Sequence, residues 1–319
     1  MACCFRYKLF DWSEESGCQF ASETDFITLG DGTTWCRFHL PMRDAAGNAS
    51  PKAGWDDDKV DDFNQAVFHI IDAAIDAGNE DDHEADLTGV VFPGGVNFGR
   101  YGKERPFPSV RFRKAAFSGY ASFSEAAFSG DADFREAAFS GDTYFRKAVF
   151  SGYAVFREVV FSGIADFSGA AETPGIGGRR YDMRLTGTPN EDSAWQVEGE
   201  AVLPAKSSRS TFQFISFSGA TFGKAIDFNN RRFTDTTRFR GTIFERAPKF
   251  HNAVLHQDTD FEGAKFRDVR SPDAERNYRT LKLAMETLRS RREEAMFFAL
   301  EQRSLRHQPA TPRMEKFVS

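Results

Sequence analysis

Four residues near the start of the chain have the side chains best suited to hold a metal. Cys4, Cys18, Cys36 and His39 offer three thiols and an imidazole, and Cys36 and His39 stand as C-x-x-H in "CRFH", with Cys3 as a substitute ligand. Soft thiolates with an imidazole suit zinc in a closed tetrahedral structural site. The gaps between them are irregular and no C-x-x-C pair anchors the set, so two other readings stay open: free thiols in a reducing compartment, or a disulfide. Zinc is the one cofactor toward which these residue types point.

Other candidates for chemistry are weaker. Ser118, Ser129, Ser140, Ser151 and Ser162 recur at equivalent positions and read as scaffold, since a nucleophile needs one activated serine and not five alike. His251 and His256 each follow an interior residue on adjacent faces, but without a third ligand they read as surface decoration. "PGIGGRR" at 174–180 has neither the lysine nor the hydroxyl residue of a phosphate-binding loop. No catalytic residue is assigned, and the expectation is a protein that is not an enzyme.

The elements that must position these groups are set by a repeat. Of 319 residues, 35 are phenylalanine, and from Phe107 they fall at 112, 117, 123, 128, 134, 139, 145, 150, 156, 161 and 167, a period of 11 split as five plus six. After an interruption the beat resumes from 217 to 266, with Leu255 in place of one aromatic. An α-helix fails this pattern: at about 100° per residue, steps of five and six share no face. A continuous strand fails too, because a step of five reverses the side chain. The chain therefore turns at every repeat and returns each phenylalanine to one interior. Two residues before each aromatic stands a small one, as at Ala115, Ala121, Ala126, Ala132 and Ala137. Arg231 breaks that rule before Phe233, so either it is turned outward by a register slip or its turn is irregular.

Small residue, polar residue, Phe, then two polar residues is the unit of the pentapeptide repeat family, which this chain resembles over roughly 85–170 and 210–270. The resemblance implies an all-β solenoid: a right-handed quadrilateral β-helix with capping α-helices at its N- and C-terminal ends. Every second unit has one added residue, such as Tyr120, Asp131 or Tyr153 after "FSG", which implies turns of about 22 residues with a bulged corner. Phe112, Phe117, Phe123, Phe128, Phe134, Phe139, Phe145, Phe150, Phe156, Phe161 and Phe167 are then a structural ladder, stacked at about 4.8 Å per turn over six to seven turns. "CRFH" is similar to a C-x-F-H element at the start of such proteins. The tail "RNYRTLKLAMETLRSRREEAMFFALEQRSLRHQ" resembles the helix that precedes membrane spans in longer bacterial members.

The chain thus divides into a Cys/His-containing segment (1–55), a capping-helix region (56–84), a first repeat block (85–170), an inserted loop or hairpin (171–209), a second block (210–270), a C-terminal helix opened by Ser271 and Pro272 (271–307), and a tail (308–319). Acidity sits in front: residues 1–84 carry 18 acidic against 6 basic residues, whereas 85–170 carry 9 against 10. A near-neutral rod argues against nucleic acid as a partner and against a DNA mimic of the kind that occupies gyrase. No apolar run is long enough for a membrane span or a signal peptide, so the cytoplasm is the expected compartment. The function expected is a scaffold for an unknown protein partner. Tyr181 and Trp195 in the insertion and Phe297 and Phe298 in the last helix are the candidate partner surface, and a homodimer through that helix is an alternative use of it. The soluble part of a membrane-associated pentapeptide repeat protein is another.

Overall fold

A computed structural model describes residues 2–8, 15–20, 25–77, 84–169, 211–212 and 214–307. The repeats form a β-solenoid of about six turns. Four columns of two- and three-residue strands, with five, four, six and seven members, make four parallel sheets. In the regular turns a strand pairs with the one 22 residues later, as Ala121 with Thr143 and Ala138 with Val160; the first turn is longer, with Val96 on Ala121, and across the insertion Ala154 pairs with Ile215.

Two kinds of corner account for the alternating steps. At five-residue steps the chain makes a tight turn, such as Phe112 to Ala115, whose third residue is left-handed: Lys114, Glu125, Glu136, Lys147 and Glu158 have φ between 55° and 61°. A non-glycine residue there is strained. In the second block Gly219, Gly241 and Gly263 take the same place without that strain. At six-residue steps the chain passes "FSG", and a side chain at Gly141 would put its Cβ 2.4 Å from the carbonyl oxygen of Gly119 in the turn below. The repeated glycine is therefore required by the close approach of successive turns.

Inside, the phenylalanines stack. Along one column Phe92, Phe117, Phe139 and Phe161 lie with centroids 4.4, 4.5 and 4.9 Å apart and rings nearly parallel. On the next, Phe112, Phe134 and Phe156 lie 5.1 and 4.7 Å apart. Rings on neighbouring columns meet edge to face, as Phe123 and Phe134 at 5.5 Å and 87°. Both are favoured aromatic geometries, and together they leave the interior filled.

Arg231 points inward and is 1% exposed. Its guanidinium donates to the carbonyls of Phe145, Ala148 and Phe167 in earlier turns and lies 4.4 Å from the Phe212 ring. The strand that follows it, Arg232–Phe233, pairs with Thr211–Phe212, where the described residues resume. The Phe145 carbonyl accepts from the arginine in addition to its turn bond from the Ala148 N–H, while Ala148 and Phe167 offer their carbonyls to the guanidinium. Burial pushes its pKa down to about 9.

Helices close both ends. Helix α1 (Asp57–Asp76) is capped by Asp56, whose carboxylate accepts from the Lys59 N–H. It lays Phe63 on Phe92 and Phe68 on Phe98. At the other end the stretch read as one helix is two: α2 (Ala274–Leu288) and α3 (Arg291–His307). They fold back on each other at Arg289, which is left-handed with φ 58°, while Ser290 bonds Glu293 to start α3. Helix α2 begins after Ser271 and Pro272, because Asp268 accepts from the Arg270 and Ser271 N–H groups and holds both in a turn. Phe297, expected at the surface, is buried: it meets Phe261 and Phe266 edge to face at 5.3 and 5.2 Å and covers the last turn.

Candidate metal centre

Cys3, Cys18, Cys36 and His39 converge, with one ligand atom from each and all four atoms within 4.8 Å of one another. Cys3 stands where Cys4 was expected. Burial alternates along residues 2–7, the pattern of an extended chain, which turns Cys3 inward and Cys4 out. Cys4 is exposed, and its thiol accepts from the Thr34 N–H. The chain reaches the cluster at three places: the start, a two-strand ribbon of Tyr7–Lys8 with Glu15–Ser16, and a hairpin of Phe26–Thr28 with Thr34–Cys36. A turn closed by bonds from the His39 and Leu40 N–H groups to the Cys36 carbonyl then brings His39 back beside Cys36.

Three of the six spacings are close to the edges of a coordination tetrahedron, within a set that spans up to 4.8 Å. With Zn–S near 2.3 Å and Zn–N near 2.05 Å, tetrahedral angles require S···S about 3.8 Å and S···N about 3.6 Å. Cys18 Sγ and Cys36 Sγ lie 3.7 Å apart, and His39 Nδ1 lies 3.4 Å from Cys36 Sγ and 3.7 Å from Cys3 Sγ. A disulfide would need sulfurs about 2.05 Å apart, and all four cysteines are free. The other ring nitrogen, Nε2, donates to the Thr88 carbonyl at 3.0 Å, which leaves the Nδ1 lone pair facing the thiols. That is the outer-shell bond by which metal-ligating histidines are usually oriented. Phe5 stacks on the imidazole at 3.9 Å and fits against Gly89, where a Cβ would strike its ring.

The thiols perturb one another. The hydrogen bond with Cys36 pulls Cys3 down to about 3, and the same bond, helped by burial, pushes Cys36 up. Burial also raises Cys18. The donor set thus fits a thiophilic dication held by three thiolates and a neutral imidazole. Because Thr88 belongs to the first turn of the solenoid, such an ion would pin the head to the coil.

Of the remaining sequence candidates, Phe298 is 51% exposed, with Lys282 5.6 Å from its ring, and Leu283 on helix α2 is exposed as well. An open groove of about 950 Å³ runs past Lys282, Glu286, Arg289, Arg291, Glu294, Ala295 and Phe298. Tyr181 and Trp195 lie outside the described residues. His256 sits 3.6 Å from Asp258, and the backbone N–H of His251 donates to Asn229. Lys52, which no motif marked, proves to be buried against the cluster's loop.

The family model of pentapeptide repeats, nine copies, matches residues 123–171. No curated protein and no solved structure matches the chain. The match lies within the run where parallel pairing repeats every 22 residues and the phenylalanines stack turn on turn. Repeat sequence and coiled architecture agree: residues 123–171 match pentapeptide repeats, and they lie in a β-solenoid that continues the same coil on both sides of them.

Proposed function

We propose that this protein is a non-enzymatic scaffold that holds a protein partner on its outer surface, with zinc as a structural staple at its head. The stacked interior carries the first part: among the described residues buried rings line the coil from Phe92 to Phe266, which favours the faces and helices for recognition. The exposed Phe298 and Leu283 on the terminal hairpin are the favoured contact. Three near-tetrahedral spacings and the oriented imidazole support the second part.

Charges on the rod favour this reading over a DNA mimic. They are paired across turns: Lys147 with Glu125, Arg146 with Asp166, Arg240 with Glu262 and Arg267 with Glu245. Interleaved pairs make no phosphate-like stripe. Among the described residues no helix is long and apolar enough to cross a membrane.

Affinity capture with the wild-type chain, with Phe298→Glu/Leu283→Glu, and with residues 171–209 deleted tests the scaffold. A partner retained by wild type and lost by either variant, with the fold intact, is expected. Capture indifferent to both, or gyrase inhibition at micromolar protein that fades with salt, overturns it. Light scattering on the same samples reads a homodimer lost with the Phe298 variant. Elemental analysis reads the metal: about one equivalent of zinc is expected, and none in Cys36→Ser.

A further inference from the structure

Lys52 lies in the short helical turn Pro51–Gly54 and is 1% exposed. Its ammonium donates to the carbonyls of Arg37 at 2.6 Å and Phe38 at 3.4 Å, the two residues that join Cys36 to His39. The rings of Phe63 and Trp55 lie 4.1 and 5.3 Å from it. Among the described residues no carboxylate forms an ion pair with it. Burial of an ammonium without an anion is expensive, and here it pulls the lysine well below its usual range, with charge on Cys36 acting the other way.

A second imbalance lies beside the first. Three thiolates and a neutral imidazole around a dication leave one net negative charge, and Cys3, Cys36 and His39 are all buried. Each charge alone would be costly to bury; together they compensate, through a loop of two residues whose carbonyls the ammonium holds.

We propose that Lys52 is the built-in counter-charge of the metal centre, a positioning residue that neutralises the three-thiolate site from behind while it clamps the C-x-x-H loop. The inference rests on the zinc reading above. It makes Lys52 a determinant of selectivity: the site is matched to a dication held by three thiolates, and loses that match when either the lysine or one thiolate is neutralised.

A charge cycle separates this role from a merely structural clamp. Cys18, the half-exposed ligand, is changed to histidine, which makes the donor set two thiolates and two imidazoles and the loaded centre neutral. Cobalt absorption bands confirm tetrahedral thiolate coordination in each protein, and zinc affinity is read by competition with a chromophoric chelator. Lys52→Met is expected to weaken zinc binding about 10–100-fold in the native set and under about threefold in the Cys18→His background. An equal loss in both backgrounds, or no loss in either, overturns the counter-charge. Should Lys52→Met fail to fold, Lys52→Arg and Lys52→Gln replace it: tight binding in the first and weak in the second supports the proposal, and equal binding overturns it. No tetrahedral cobalt band in the wild-type protein overturns the metal reading and, with it, this one.

Discussion

The two ends of the coil solve one problem by different physics. An open turn of a β-solenoid exposes stacked rings and unpaired backbone, and something must cover both. At the C-terminal end the cover is an amphipathic hairpin: Tyr278, Leu281, Met285 and Phe297 are buried, and Glu301 is clamped by Arg279 and Lys282 at 2.8 and 2.9 Å. At the N-terminal end helix α1 does part of this work, but the described residues in front of it form two- and three-residue strands and one short helical turn. That segment has a small core of Tyr7, Phe20, Leu29, Phe38 and Leu40, to which the proposed metal site would add a cross-link. A hairpin of helices is held by burial spread over many contacts; on the zinc reading proposed above, the head adds four ligand atoms and one lysine to its small core.

That contrast predicts unequal responses to single changes. The largest effect should come from metal removal. Chelation, or Cys36→Ser, is expected to abolish hydrogen-exchange protection in 3–54 while the coil keeps its own, because binding energy on the order of 10 kcal/mol at a structural zinc site is folding energy. Protection that survives chelation would make the two ends alike. Acid should act in the same direction: protons compete for the thiolates, so metal is retained at neutral pH and released as pH falls.

Next in size are the rings. Phe297→Ala should cost about 3–5 kcal/mol in denaturant unfolding by opening a cavity over the last turn, and Phe139→Ala about as much within the column. A much smaller loss at Phe297 would mean that the hairpin is an appendage and not a cap. Arg231→Ala should cost about 2–4 kcal/mol, since it leaves a cavity and deprives the Ala148 and Phe167 carbonyls of a donor. An unchanged midpoint would show that the carbonyls find other partners. Smallest is Ser140→Ala, an outward residue of the same corner as Phe139, at under about 0.5 kcal/mol. Were it to equal Phe139→Ala, the inward and outward assignment would be wrong.

Legibility follows the same division. The phenylalanine beat, the small residues and the glycine corners could be read directly, because each turn repeats the same local constraint and repetition makes a weak pattern strong. The end helices carried apolar stripes at helical spacing, but the break at Arg289 did not show, since a left-handed arginine has no compositional mark. Phe297 and Phe298 were alike in sequence; only the register of α3 against the last turn buries one and exposes the other.

From sequence alone come the coil, its period, its inward residues, and the presence of thiols and an imidazole at the front, because these follow from local steric rules and residue chemistry. Tertiary structure alone chose Cys3 over Cys4, turned Arg231 inward to serve carbonyls of earlier turns, and brought Lys52 onto the loop between Cys36 and His39. Each of those depends on contacts between residues at least 14 apart in the chain, as Lys52 is from Phe38. Such contacts are set by how the folded segments meet, and no spacing rule along the chain encodes them.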